Sequence, residues 1–154
     1  IKWPNDVLVG GRKIAGILLE GNVSEKSRRG ALVIGTGVNI ASHPEFPAGL
    51  QATSLAREGV EVSIESMLEH YAAALAHWIG RWEAGGFVPI RTEWIARAAG
   101  IGREIEVRLG GKTLTGFFRA VDDAGALIVS TPHGDRTVNA AEVFLLGPAR
   151  SWEE

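Results

Sequence analysis

The sequence contains no cysteine, which excludes a disulfide framework, a thiolate zinc site and a thiol nucleophile. It also lacks the run of about 18 apolar residues that a membrane-spanning helix needs, and no charged-then-apolar signal segment stands at its start. The 16 Lys and Arg residues are balanced by 18 Asp and Glu residues, whereas a nucleic-acid-binding surface normally shows a basic excess. These features favour a soluble, cytoplasmic protein with no membrane partner, and they give no support for DNA binding by this chain.

The residues that are present suit a folded chain. Of 154 residues, 45% are hydrophobic, which is enough for one ordinary core or two small ones. The sequence begins with Ile1, inside a motif, and no cap, turn or linker precedes Lys2. We therefore expect natural sequence upstream of this chain.

The first hundred residues predict a sheet followed by helices. Strands are expected from Val7 to Val9 and from Lys13 to Glu20, joined by a tight turn at the two glycines of "VGGR", and a third in "ALVIGTGVNI". The second and third runs are so continuously apolar that we expect both faces of these strands to be buried. The polar connection "SRRG" between them is interpreted as a soluble turn.

Two helices are expected next, as a layer covering the sheet. The first has Ser63 as its N-cap and an apolar stripe at spacings of three and four, and it stops at Gly85 and Gly86. The second begins near Pro89 and ends at Gly100.

Beyond Gly102 the hydrophobic period changes to two. The segment "EIEVRLGGKTLTGFF" predicts a hairpin, and three more short strands follow it, separated by tight turns. Five short strands in so few residues favour a small closed barrel of the SH3-like type. The predicted fold is α+β: a partial mixed β-sheet covered by helices over residues 1–100, followed by an SH3-like barrel over residues 101–149.

Asn5, Asp6 and Lys13 are the strongest candidates for a functional site. A lysine ammonium beside a carboxylate and an amide suits an anion, and an aspartate can hold a magnesium ion that bridges phosphate oxygens. The alternative is that Lys13 points outward from a strand edge and Asp6 caps a turn.

A second candidate is "GTGVN", at the end of the third strand. Gly35 and Gly37 would let a ligand approach the backbone closely, and Asn39 would offer a donor and an acceptor. The alternative is a bulge or a packing accommodation. The spacing lacks the full pattern of a dinucleotide-binding fingerprint.

Together, "KWPNDVLVGGRKIAGILLE", the later "VIGTGVNI", two helices and a small barrel resemble the biotin protein ligase family. The resemblance covers nearly the whole chain. It implies the C-terminal part of a class II synthetase-like catalytic domain and the family's C-terminal domain. The glycine- and arginine-rich adenylate loop of that family, and the other side of its biotin pocket, would lie before Ile1.

The resemblance also implies an activity. Family members join biotin to the α-phosphate of ATP to form biotinyl-5'-AMP, and then transfer the biotinyl group to a lysine of a biotin carboxyl carrier protein. Lys13 matches the lysine that reaches the carboxylate and the phosphate, so it and Asp6 are the implied catalytic residues, Asp6 also being a possible Mg²⁺ ligand. The positions that match the binding site for biotin and its adenylate are Trp3, Asn5, Gly16, Ile17, Gly35, Gly37 and Asn39.

Two other functions remain open. One is a non-catalytic fragment that senses biotin or its adenylate, or docks a carrier protein; the other is a related lipoate-protein ligase. Because the family's upstream strands are missing, we also expect an uncovered apolar face, through which this chain could self-associate.

Overall fold

The computed structural model describes residues 1–23, 30–45, 51–139 and 141–146. They form two compact units. The N-terminal unit is Asn5–Ser66, and the C-terminal unit combines Ile1–Pro4 with Met67–Glu154. Most of the predicted "SRRG" turn lies outside the described residues.

The N-terminal unit is built on an antiparallel sheet of three strands, β1 (Asp6–Val9), β2 (Arg12–Val23) and β3 (Gly30–Val38), in that order. The β1–β2 turn is made by Gly10 and Gly11, with φ angles of 55° and 77°. A two-residue turn of this hand needs positive φ at both positions, so the predicted hairpin is confirmed. The sheet has one parallel element among the described residues, an isolated bridge from Lys13 to Ala52.

The expectation that β2 and β3 are buried on both faces is wrong for this chain. Leu18 and Leu19 are 60% and 59% exposed, and Val33 on the neighbouring strand is 61% exposed. Successive strand residues point to opposite faces, so both faces of the sheet are bare here. The reason is that nothing in the described part of this unit covers the outer ends of the two strands.

The helices are α1 (Ile64–Gly85) and α2 (Phe87–Ala96). The predicted N-cap of α1 is confirmed, because the Ser63 hydroxyl accepts a hydrogen bond from the Ser66 N–H at 3.1 Å. No described residue of α1 is buried, so its apolar stripe remains at least partly exposed to solvent. α2 contacts a strand of the second sheet, β5 (Lys112–Val121), where Trp94 lies against Phe118 with ring centroids 6.4 Å apart.

The second sheet has five strands in the order β7-β6-β5-β4-β8. The remaining strands are β4 (Glu104–Leu109), β6 (Leu127–Thr131), β7 (Gly134–Val138) and β8 (Glu142–Leu145). The α+β class and the five short strands are confirmed. In the described residues β7 and β8 are the two outer strands and do not pair with each other, so the predicted closure into a barrel is not seen there. The buried core of this unit comprises Trp3, Ile105, Val107, Phe118, Val121, Leu127, Val129, Val138 and Val143.

Candidate functional site

Lys13 and Asp6 form an ion pair in the N-terminal unit. The Lys13 Nζ lies 2.5 Å from Asp6 Oδ1, and the two side chains are 39% and 13% exposed. The aspartate is therefore largely shielded, whereas the lysine remains accessible to a ligand from solvent. An accessible ammonium of this kind can still donate a charge-assisted hydrogen bond to a phosphate or carboxylate oxygen.

A break in the β1–β2 register brings these two side chains to the same face of the sheet. Asp6 pairs with Gly16 and Val7 with Ala15, but the next residue, Leu8, pairs with Lys13. The extra residue on β2 is therefore Ile14, and it reverses the alternation of side chains before it. With regular pairing, Lys13 would point to the face opposite Gly16 and Asp6.

Gly16 provides the space in which the ion pair lies. A Cβ atom at this position would lie 3.1 Å from Lys13 Nζ and 3.8 Å from Asp6 Oδ1. The first of these distances is shorter than most carbon contacts in proteins, so a side chain here would press on the ammonium. The Lys13 side chain therefore explains why residue 16 is a glycine: it occupies the space that a side chain there would need.

A groove of about 340 Å³ opens beside Lys13. Its lining residues are Lys13, Ala15, Gly16, Gly37, Val38, Asn39 and Pro44. Gly16 and Gly37 face each other across β2 and β3, and a Cβ at Gly37 would meet no atom within 4 Å. The backbone is therefore open at Gly37, whereas the space at Gly16 is taken up by the ion pair; a ligand role for Gly37 stays a prediction.

Asn39 lies at the end of the groove, where its side chain holds neighbouring backbone in place. Its Nδ2 donates to the Thr53 carbonyl at 2.9 Å and, more weakly, to the Lys13 carbonyl at 3.4 Å. Its own N–H donates to the Ile14 carbonyl at 2.9 Å. Asn39 therefore joins the end of β3 to the backbone that carries Lys13.

Asn5 has a comparable structural role at the start of β1. Its Nδ2 donates to the Ile17 carbonyl at 2.7 Å, and the Ile17 N–H donates to the Asn5 carbonyl at 3.0 Å. This pair of bonds fixes the start of β1 against β2, one residue from Asp6. Asn5 thereby anchors the backbone immediately before Asp6.

The structure does not bring every predicted site residue to the groove. Ile17 follows Gly16 on β2 and so points to the opposite face, while Gly35 pairs with Leu18 further along the sheet. Trp3 lies in the core of the C-terminal unit, only 4% exposed, with its indole N–H donating to the Gly125 carbonyl at 3.2 Å. The "KWPND" run is therefore divided between the two units after Pro4.

The segment 51–58 supports Lys13, a role that the sequence did not predict for it. The Lys13 N–H donates to the Gln51 carbonyl at 2.8 Å, and the Thr53 N–H donates to the Lys13 carbonyl at 2.9 Å. Thr53 and Ser54 are almost completely buried. No periodic pattern could have indicated this contact, because a loop returns here to form a single bridge with β2.

The described residues show neither a metal-ligand cluster nor a membrane-spanning helix. They contain no cluster of three or more His, Cys, Asp or Glu side chains that could hold a metal ion. Neither α1 nor α2 is long and apolar enough to span a membrane.

Comparison with known proteins assigns both parts of the chain. Residues 1–96 match the model of the biotin/lipoate A/B protein ligase family, and residues 100–146 match the model of the biotin protein ligase C-terminal domain. A biotin–[acetyl-CoA-carboxylase] ligase from Paracoccus denitrificans is 43% identical over 152 residues, which are 96% of this chain and 63% of that protein. The bifunctional ligase/repressor of Bacillus subtilis is 33% identical over 149 residues, 94% of this chain and 46% of that protein.

Solved structures share the fold. A biotin protein ligase from Aquifex aeolicus, in complex with biotin and ATP, superposes with a TM-score of 0.75 at 23% identity, over 95% of this chain and 61% of that one. A second structure of the Aquifex aeolicus enzyme gives a TM-score of 0.78. The chain thus spans less than the full length of each protein that it matches. Because one family model extends over residues 1–96 of the 154, the chain belongs to the biotin/lipoate A/B protein ligase family.

Proposed function

We propose that this chain is part of a biotin protein ligase, which activates biotin with ATP and transfers it to a lysine of a biotin carboxyl carrier protein. The observation that carries the proposal is the Lys13–Asp6 ion pair above Gly16, at the side of an open groove. The match to the biotin ligase C-terminal domain and the 43% identical ligase support biotin as the substrate.

The proposed reaction has two steps. A carboxylate oxygen of biotin attacks the α-phosphorus of ATP, the bond to pyrophosphate breaks, and biotinyl-5'-AMP forms. A lysine amine of the carrier protein then attacks the acyl carbon, loses a proton, and AMP leaves. Lys13 supplies a positive charge where negative charge builds up on the phosphate, and stabilisation of that kind is often the largest catalytic contribution.

Asp6 has two proposed roles, to hold the Lys13 ammonium and to contribute a ligand to Mg²⁺. One carboxylate fits the way Mg²⁺ binds with nucleotides, where phosphate oxygens and water complete the coordination. The ion neutralises phosphate charge when it is bound. Asn5 supports both roles by fixing the start of β1.

Of the other predicted binding residues, some line the groove and some do not. Gly16, Gly37 and Asn39 line the groove and are proposed to form part of the biotin or adenylate site. Gly35, on the groove face of β3, and Ile17, on the opposite face of β2, are proposed to shape the strands next to the groove, and Trp3 to contribute by packing in the core of the C-terminal unit. Because ATP and carboxylase carrier proteins are cytoplasmic substrates, a cytoplasmic location is part of the proposal, as is self-association through the bare sheet faces.

Transfer of labelled biotin to a carboxylase carrier domain, with ATP and Mg²⁺, tests the function. The assay compares this chain with the same chain extended upstream, and both with a Lys13→Ala variant. We expect Lys13→Ala to lower adenylate formation by about 100-fold or more, because the charge at the phosphate is lost, while thermal stability stays close to that of the parent.

The same assay separates the alternatives. Near-normal adenylate formation by Lys13→Ala would remove the lysine from its proposed role. Binding of biotinyl adenylate without transfer, by both lengths of chain, would favour a sensing or docking function. Because the matching family model includes lipoate ligases, competition between biotin and lipoate for transfer is the second readout, and preference for lipoate would contradict the proposed substrate.

A further inference from the structure

Arg12, Thr53 and Glu58 form a polar cluster next to Lys13 that has no part in the proposed reaction. Glu58 Oε1 accepts a hydrogen bond from the Thr53 hydroxyl and an ion-paired bond from Arg12 Nη2 at 2.8 Å. The Glu58 side chain is 20% exposed and the Arg12 side chain 33%. These two donors hold the Glu58 carboxylate in place, because hydrogen bonds to a charged group are stronger than those between neutral groups.

This cluster is connected to Lys13 from both sides. Arg12 is the neighbour of Lys13 along β2, and the Thr53 N–H donates to the Lys13 carbonyl at 2.9 Å. Glu58 is therefore hydrogen-bonded to Arg12, which precedes Lys13, and to Thr53, whose N–H is bonded to the Lys13 carbonyl. The Glu58 N–H donates to the Ser54 carbonyl at 3.0 Å, so a turn of the same segment brings the carboxylate back over Thr53.

The position of Lys13 needs such support. At Lys13 the β1–β2 ladder is out of register, since Ile14 is the extra residue on β2. A bulge interrupts the regular ladder, so the direction of the re-aimed side chain depends on contacts from outside that pair of strands. Bonds with residues 51 and 53 provide these contacts, and Thr53 is itself held by two side chains, Asn39 at its carbonyl and Glu58 at its hydroxyl.

We propose that Glu58 is a positioning residue: through Thr53 and Arg12 it fixes the backbone at the bulge, so that the Lys13 ammonium stays beside Asp6 and the groove. Its effect on catalysis rests on the proposed function, whereas its effect on the position of Lys13 does not.

The test replaces the charge and keeps the shape of the side chain, with Glu58→Gln. The matched control is Glu61→Gln, the same change at an exposed residue of the following segment. Thr53→Val removes the hydroxyl at constant shape, and Thr53→Ser retains it. Amide hydrogen exchange at Lys13 and Thr53 reports the local structure in this chain, and adenylate formation is measured in whichever form, this chain or one extended upstream, is active in the transfer assay.

We expect Glu58→Gln and Thr53→Val to speed exchange at Lys13 and Thr53 roughly 10-fold, as loss of a hydrogen bond to a charged group would do. We expect the kcat of adenylate formation to fall by about the same factor, with KM for ATP changed less than about twofold, because Lys13 acts on the charge of the transition state. Thr53→Ser and Glu61→Gln should behave like the parent.

Unchanged exchange at Lys13 in Glu58→Gln would overturn the proposal. So would a variant that is merely less stable, with kcat per folded molecule unaltered. If the parent protein forms no adenylate, the proposed function fails on its own, while exchange at Lys13 still decides whether Glu58 positions that residue.

Discussion

Gly16 shows how closely one residue controls the candidate site. A Cβ at this position would lie 3.1 Å from Lys13 Nζ and 3.2 Å from its Cε, and the backbone there does not require glycine, since Gly16 is not in the positive-φ region. An alanine can therefore be accommodated if the end of the flexible lysine side chain moves. That movement would take the ammonium away from Asp6.

We expect Gly16→Ala to lower adenylate formation by about 10-fold, because the charge that stabilises the transition state is displaced, and to leave the thermal midpoint nearly unchanged. Steady-state kinetics and thermal unfolding measure the two effects. Gly21→Ala is the matched control: it lies on the same strand, and its Cβ would meet only Leu32 Cδ1 at 3.9 Å. Equal activity of both variants would contradict the assigned position of Lys13.

At the scale of elements, we expect the attachment of the segment 51–58 to β2 to depend on pH. Hydrogen bonds from the Thr53 hydroxyl and from Arg12 hold the pKa of Glu58 below its ordinary value of 4.5. A carboxyl group with a lowered pKa stabilises the folded state above the pKa of the unfolded chain. That stabilisation is lost as the pH falls from about 4.5 through the folded-state pKa.

We therefore expect the free energy of unfolding to fall more steeply below pH 4.5 in the parent chain than in Glu58→Gln. Urea unfolding at a series of pH values measures the slope. Glu61→Gln should follow the parent curve, because its side chain is exposed to solvent. Parallel curves for the parent and Glu58→Gln would show that the carboxylate contributes nothing in this range.

The sequence predicted the elements well where the signal is local. Gly10 and Gly11 form the turn expected of them, and Ser63 caps α1. That Lys13 and Asp6 belong to one site was predicted from their residue types. The two side chains share a face only because Ile14 is an extra residue on β2, and the apolar pattern of β2 does not predict this bulge. The support from Thr53 was not predicted either, since it comes from a distant loop.

At the scale of the whole molecule, the strands of the first sheet are bare, as the resemblance implied, although the apolar pattern of β2 and β3 had predicted burial of both faces. Leu19 and Ile34 are cross-strand neighbours on one face, 59% and 38% exposed, and Leu18 on the other face is 60% exposed. Apolar runs of this kind normally indicate burial, and here they lie in a chain that spans 63% of its Paracoccus relative. The division into residues 1–100 and 101–149 stays a prediction.

We expect this chain to self-associate as its concentration rises, because apolar side chains on these faces leave water when two copies meet. Replacing Leu19 and Ile34 by lysine should weaken association by about 100-fold, since burial of each such side chain contributes roughly 1.5–3 kcal/mol. Light scattering over a concentration series measures the change. Val60→Lys, an exposed apolar position away from the strands, is the control. A monodisperse monomer at all concentrations would contradict the expectation.

The burial of Trp3 determines which chimeras between members of the family can fold. Its indole belongs to the core built by Ile105, Val107 and Phe118, although these residues follow it by more than a hundred positions along the chain. A five-stranded domain transplanted from Gly102 onward would leave its tryptophan behind and carry a cavity the size of an indole. A successful exchange must take the first four residues together with the C-terminal sheet.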